Sequence, residues 1–383
     1  MSIDLAQAQA AFAASVDGTV GIEEEFAVLD VVSLELVPRF EELRDGGQDD
    51  DVLRGAIAGE LISSEIEIRS GAGSDFHDAV ARQREARARL FALAASQGIA
   101  LGSTGTHPWA DYRDQRNIDT EHYRRVVDGL QYVARRNNTF ALHVHVGVSG
   151  ADRAVRTCDR LRTVLPALLA IGANSPFLEG HDSGLHSVRT QTFTKSFPRC
   201  GVPDAYGSWD AYREYLEFLV ATGSIVESTQ VWWSIRPHLA FGTVEVRISD
   251  AQATGAESEA LAALTTGCVL QAARDEAEGV PFVEYPRRLI EENLWRAIRY
   301  GMDGRLIDLD RRAEEPAAAT LERLLDWTAP VRAEYRIDPA FPERNGAQRQ
   351  RAALERDGDL RAVYADVVED TRRTYAPPEV PAP

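Results

Sequence analysis

Four segments of the chain alternate apolar and polar side chains with a period of two, the spacing of a strand that buries one face and turns the other elsewhere. In TVGIEEEFAVL (19–29), Val20, Ile22, Phe26 and Val28 share one face, and Glu23 and Glu25 share the other. Glu24 breaks the pattern, because it falls among the apolar positions and nothing in the sequence accounts for it there. In ELISSEIEIRS (60–70), Ile62, Ile66 and Ile68 oppose Ser63, Glu65, Glu67 and Arg69. In TFALHVHVGVS (139–149), Phe140, Leu142, Val144, Val146 and Val148 oppose His143 and His145. In GTVEVRISD (242–250), Val244, Val246 and Ile248 oppose Thr243, Glu245, Arg247 and Ser249.

Helical spacing covers Phe76–Ser96, with Ser74 or Asp75 as N-cap and Gly98 just past the end. It also covers Glu121–Arg136, Arg153–Ala173, Trp209–Ala221, Glu257–Glu278, Glu291–Tyr300 and two C-terminal stretches from about Ala317 and Ala347. Strands that are apolar on one side only suit an antiparallel sheet with helices packed on one face, whereas parallel sheets are covered on both. The expected class is α+β. The loop-like segments 45–51 and 377–383 are too small to separate domains, so residues 1–383 are expected to form a single catalytic domain.

Composition narrows the function. The chain has 42 basic and 60 acidic residues, a net charge of −18, which disfavours nucleic acid or an anionic lipid surface as the main partner. Its only lysine, Lys195, stands against 41 arginines, a bias that GC-rich coding or salt adaptation would equally produce. Cys158, Cys200 and Cys268 are odd in number and form no CxxC pair, which argues against a disulfide framework or structural zinc and for a reducing cytoplasm. The N-terminal stretch has no basic residue before its alanine-rich run, and the longest apolar run, Val164–Ala173, is interrupted by Pro166. Neither a signal peptide nor a membrane span is expected.

If the four strands share a sheet, Glu23, Glu25, Glu65, Glu67, Glu245, His143, His145, Arg69 and Arg247 meet on its polar face. Crowded carboxylates persist only when protonated, paired with arginines or neutralised by cations. Mg²⁺ or Mn²⁺ suits such oxygens, and two glutamates at i and i+2 stand about 7 Å apart, enough to serve different ions. For GIEEEF alone a solvated surface strand explains the pattern equally well; four such strands shift the balance toward a metal site. The HxH pair leaves metal or phosphate contact, structural hydrogen bonding and proton transfer all open, with no HExxH or cysteine partner to complete a zinc set. Arg189, Arg236 and Arg247 are candidate anion contacts, Arg247 foremost because its strand places it among the carboxylates. There is no Walker motif and no GxSxG, and GSTGTHP (102–108) is glycine-rich but nonspecific. The pair Trp232 and Trp233 reads as sheet packing rather than a stacking platform.

Eight ordered blocks carry a more specific signal: GIEEEF, ELISSEIEIRSG, ALHVHVGV, ANSPFLEGHDSGLHSVRTQTF, FPRCGVP, ATGSIVEST, WWSIRPHLAFGTVEVRISDAQ and ENLWRAIRYGMDG. Over about residues 18–304 the chain resembles the type 2 glutamate–cysteine ligases, also called carboxylate–amine ligases. The resemblance implies a glutamine-synthetase-like fold, with a curved, mainly antiparallel sheet, helices on one face and an active-site funnel on the other. It implies use of ATP with Mg²⁺, or Mn²⁺, to form γ-glutamyl phosphate from L-glutamate, and capture of that intermediate by the amine of L-cysteine or another acceptor. Carried over by position, Glu23, Glu25, Glu67, His143 and Glu245 form the metal set. Arg247 and Glu67 become catalytic, Arg189, Arg236, Arg247 and His145 bind substrate or ATP, and Glu65 is a secondary candidate. A homodimer is expected from the family. Residues 305–383 match none of these blocks and are expected to add a helical part. A zinc-dependent amidohydrolase using the HxH strand, and a binding protein that has lost catalysis, are the competing readings.

Overall fold

The computed structural model describes residues 3–376, so the loop expected at 377–383 lies outside the described residues. Seven strands form one sheet: β1 (Val20–Asp30), β2 (Ile57–Ala58), β3 (Glu65–Arg69), β4 (Ile99–Gly102), β5 (Ala141–Gly147), β6 (Ile235–His238) and β7 (Thr243–Asp250). Their order is β6-β7-β5-β1-β3-β2, β4 pairs with β1 beyond β3, and every pairing is antiparallel. The α+β reading therefore stands. All four predicted segments contribute strands, and the alternation places their apolar residues: Val20, Ile22, Val144, Val146, Val244, Val246 and Ile248 lie in one hydrophobic core, and Phe26, Val28, Ile66 and Ile68 lie in a second; Ser249, expected on the polar face, instead pairs with the core residue Leu142 because the ladder slips before it.

The helices that matter for the site are α1 (Phe76–Ser96), α2 (Glu121–Leu130), α3 (Ala151–Leu161), α4 (Leu165–Gly172), α5 (Val188–Ser196), α6 (Gly255–Ala277), α7 (Ala317–Tyr335), α8 (Gly346–Asp357) and α9 (Leu360–Tyr375). Helices α1, α3, α4, α6 and α9 pack on the apolar side of the sheet. The side chain of Asp75 caps α1 by accepting from the Asp78 amide at 2.8 Å.

Two predicted helices are broken in the structure. The 153–173 stretch divides into α3 and α4 just before Pro166, whose missing N–H and fixed φ suit the first turn of a new helix. The 121–136 stretch divides at Gln131, whose φ is 49°. Beyond α7 and α8 a third C-terminal helix, α9, lies against β4 and α1, so residues after 304 help to close the main core. No described helix is long and apolar enough to cross a membrane, and the three cysteines are buried and unpaired.

Candidate active site

Register decides which ionisable groups meet. On the polar side of the sheet, Glu23 stands opposite His143 on β5 and Arg69 on β3, and Glu25 stands opposite Glu67. Glu245 is flanked by His145 on β5 and Arg236 on β6. Cross-strand neighbours on one face lie about 5 Å apart, so the alternation seen in sequence becomes a single patch. Between Val246 and Ser249 the β7–β5 ladder slips, leaving Arg247 and Ile248 together opposite His143. At this β-bulge the Arg247 amide bonds to the Ser234 carbonyl at 2.8 Å on β6's side.

The polar face is walled rather than open. Residues from α2, α5 and the 227–241 segment enclose a cavity of about 390 Å³ over the patch, lined by six glutamates (Glu23, Glu25, Glu60, Glu65, Glu67 and Glu245) and four arginines (Arg69, Arg189, Arg236 and Arg247). Carboxylates therefore exceed guanidiniums before any anionic substrate arrives. His143 sits between the first two, its Nδ1 3.3 Å from Glu23 and its Nε2 3.8 Å from Glu25. His145 bonds Thr243 Oγ1 through Nδ1 at 3.0 Å and turns Nε2 toward Glu23 at 3.4 Å and Glu245 at 3.9 Å. Glu25 also accepts the Ala141 amide at 2.5 Å.

Neighbouring charges divide these groups into two classes. Burial acts to raise Glu23 and Glu245, yet His145 and His143 hold Glu23, and Arg236 and Arg247 hold Glu245, well below the usual carboxylate range. Burial raises Glu65 and Glu67 well above that range, reinforced by Glu25 at Glu65 and by Glu23 at Glu67, and raises Glu60 to about 7. Burial and Arg247 depress His143, whereas Glu23 and Glu245 overcome burial to raise His145.

A bound cation would relieve this crowding. Two groups of potential ligands, Glu23 with His143 and Glu245, and Glu25 with Glu67 and His143, each bring one donor atom per residue within 4.8 Å of the others. Hard carboxylate oxygens with one imidazole fit Mg²⁺ or Mn²⁺, and the buried Glu65 Oε2 has no hydrogen-bond partner. All five residues of the predicted metal set belong to these two groups. His145 belongs to neither, so the HxH strand does not present a two-histidine zinc pair among the described residues.

The arginines divide similarly. Arg236 is committed to Glu245, and Arg247 also touches Glu245. Arg189 directs Nη1 to the Ile248 carbonyl at 3.3 Å and Nη2 to the Arg247 carbonyl at 3.4 Å, which braces the bulge. The Nε atoms of Arg189 and Arg247 are buried without a hydrogen-bond partner. Sequence reasoning missed Glu60, which lies in the loop between β2 and β3 rather than on a strand, and His122, Tyr123 and Phe241, which wall the cavity from other segments.

The model of glutamate–cysteine ligase family 2 matches residues 19–366. The chain belongs to this family. The match reaches past 304 into α9, so the C-terminal helices are part of the shared pattern. A provisionally named glutamate–cysteine ligase 2 from Sorangium cellulosum is 37% identical over 360 residues, 92% of this chain and 96% of the relative. A provisionally named glutamate–cysteine ligase 2-1 from Rubrobacter xylanophilus is 37% identical over 365 residues, covering 94% of this chain and 96% of the relative. Among solved structures, a glutamate–cysteine ligase from Francisella tularensis in complex with AMP has the same fold, with a TM-score of 0.69 at 13% identity, covering 96% of this chain and 91% of that one. Family membership supports an enzyme of the carboxylate–amine ligase class.

Proposed function

We infer that the protein joins the γ-carboxyl group of L-glutamate to an amine, L-cysteine or another acceptor, at the expense of ATP. The observation that carries this reading is the pair of overlapping ligand groups joined by His143, with Arg247 lining the same cavity. A carboxylate is a poor electrophile. Its oxygen attacks the γ-phosphorus of ATP, ADP leaves, and the resulting acyl phosphate carries a leaving group. The acceptor nitrogen then forms the amide bond as phosphate departs and the ammonium proton is lost.

Each side chain has a part. Glu23, Glu25, Glu67, His143 and Glu245 would hold Mg²⁺ or Mn²⁺, which when bound screens the triphosphate and draws charge from the transferring phosphoryl group. Arg247 contacts that group, with its Nε available for an anion. Arg236 orients Glu245, and Arg189 holds the bulge while offering its own Nε. His145 lines the cavity beside Phe241. The whole described chain then serves as one catalytic unit, because α9 and β1 share a core.

Phosphate release from ATP, measured with Mg²⁺, L-glutamate and a panel of amines, tests this reading when products are identified by mass spectrometry. γ-Glutamylcysteine formation assigns cysteine as acceptor, and a different γ-glutamyl product replaces the acceptor. Absence of ATP turnover with every amine contradicts the ligase reading.

A further inference from the structure

The glutamate that has no place in the alternation, Glu24, has a dedicated partner set on the helix side of the sheet. Its carboxylate is 4% exposed and accepts from Gln83 Nε2 at 2.8 Å, from Arg87 Nη1 at 3.0 Å and from the Ser258 hydroxyl. Gln83 also donates to the Ile68 carbonyl of β3 at 3.1 Å, so one amide ties both strands to α1. Arg87, 3% exposed, reaches Glu259 at 2.7 Å and lies 4.8 Å from the Tyr375 ring centroid at the end of α9. A charge this deeply buried persists only when paired and hydrogen-bonded, and the cradle supplies both.

The surrounding sequence gives the cradle a purpose. Residues 23–25 are three identical glutamates, so their identity alone does not specify which ones face the cavity. A one-residue slip of β1 would turn Glu24 into the cavity and carry Glu23 and Glu25 to the helix side. The cavity would then hold one glutamate of the three instead of two. Ile22 and Phe26 oppose the slip through burial, but they are separated by the triplet, and Glu24 lies at its centre.

We propose that Glu24 is the positioning residue of β1: the Gln83–Arg87–Ser258 cradle admits one carboxylate, and its occupation by Glu24 holds Glu23 and Glu25 toward the cavity. The α9 helix takes part through Tyr375, which links the C-terminal region to the cavity strand. The proposal rests on the reading of Glu23 and Glu25 as metal ligands only for its second readout.

Glu24→Gln keeps the hydrogen-bonding shape of the side chain and removes its charge. Hydrogen exchange without metal should accelerate about tenfold in peptides over Val20–Asp30 while peptides over α7 keep their rates. Direct Mn²⁺ binding, followed by electron paramagnetic resonance, should weaken about 10- to 100-fold, the usual cost of disturbing a residue that orients a ligand. Leu324→Ala, a destabilising truncation of a buried residue on α7, should leave Mn²⁺ affinity unchanged. If Glu24→Gln fails to fold, Gln83→Leu removes one donor of the cradle while Arg87 keeps the Glu24 charge paired, and should fold with the same local acceleration over β1. Unchanged exchange over β1 in a folded variant overturns the proposal. Absence of Mn²⁺ binding by the unsubstituted protein overturns the metal reading instead, and exchange still decides the role of Glu24.

Discussion

Arg236 forks onto Glu245, its Nε 2.6 Å from Oε2 and its Nη2 3.3 Å from Oε1, on adjacent strands whose register places the two residues directly opposite. The planar guanidinium fixes both carboxylate oxygens, so Glu245 meets His145 and the cavity in one orientation. Lysine is a point charge and cannot reproduce the fork. Arg236→Lys should fold and lose about 10- to 100-fold in ATP turnover, with the metal concentration for half-maximal rate raised. Steady-state kinetics across a Mg²⁺ series checks this, and an unaltered metal dependence contradicts it.

Glu25 belongs to one ligand group and Glu23 to the other, and His143 joins them. Glu25→Gln should leave the fold intact, because the amide oxygen can still accept the Ala141 N–H, while ATP turnover falls by about 100-fold or more. Circular dichroism and phosphate release together test it; near-normal turnover removes Glu25 from the site.

None of the three cysteines lines the cavity, and burial raises Cys200 to about 12, so no thiolate is poised for chemistry. Serine at positions 158, 200 and 268 together should retain ATP turnover within about threefold in the folded fraction, a modest cost typical of changes away from the reacting groups. Loss of turnover with an intact fold would implicate a thiol.

His107, in the glycine-rich GSTGTHP segment, proves to be structural. Nε2 lies 2.8 Å from the Leu34 carbonyl, and Nδ1 accepts from the amides of Trp109 at 3.3 Å and Ala110 at 3.0 Å. The neutral ring satisfies all three partners, and burial lowers its pKa to about 4. The unfolded chain binds a proton near pH 6.5 and the folded one does not until about pH 4, so stability is complete above pH 6.5 and falls as pH drops through that window. The loss reaches about 3 kcal/mol. Nitrogen-15 resonances of labelled His107 at pH 5.5 should report a neutral Nε2–H tautomer, and a charged ring would refute the assignment.

Gly346 opens α8 where an added Cβ would sit 1.8 Å from Asn174 Oδ1. Asn174 is buried, donates to the Ser103 and Ala251 carbonyls, and begins the segment that leads to Arg189. Gly346→Ala should cost about 3 kcal/mol, measured by urea unfolding. A loss below about 0.5 kcal/mol would show that Asn174 yields freely.

The strands and the ionisable patch were legible because alternation is a local signal and an antiparallel register converts it directly into a shared face. Glu23, Glu25, Glu67, His143 and Glu245 come together for that reason. What was not legible depends on contacts distant in sequence. Glu24 is explained only by Gln83, Arg87 and Ser258, and the bulge at Arg247 only by pairing with β5. Glu60 enters the cavity from a loop, and the break after Leu130 puts its positive φ on Gln131 rather than on Gly129, which lies inside the helix. Helix α9 was missed although its capping aspartate, Asp359, follows Gly358 at the end of α8.

The proposed ligase chemistry requires a carboxylate oxygen to attack ATP. L-Glutamate carrying oxygen-18 in its γ-carboxylate should, in one turnover with ATP, Mg²⁺ and the accepted amine, yield phosphate bearing a single oxygen-18 atom. Unlabelled phosphate, or label appearing in AMP, would contradict the acyl phosphate route.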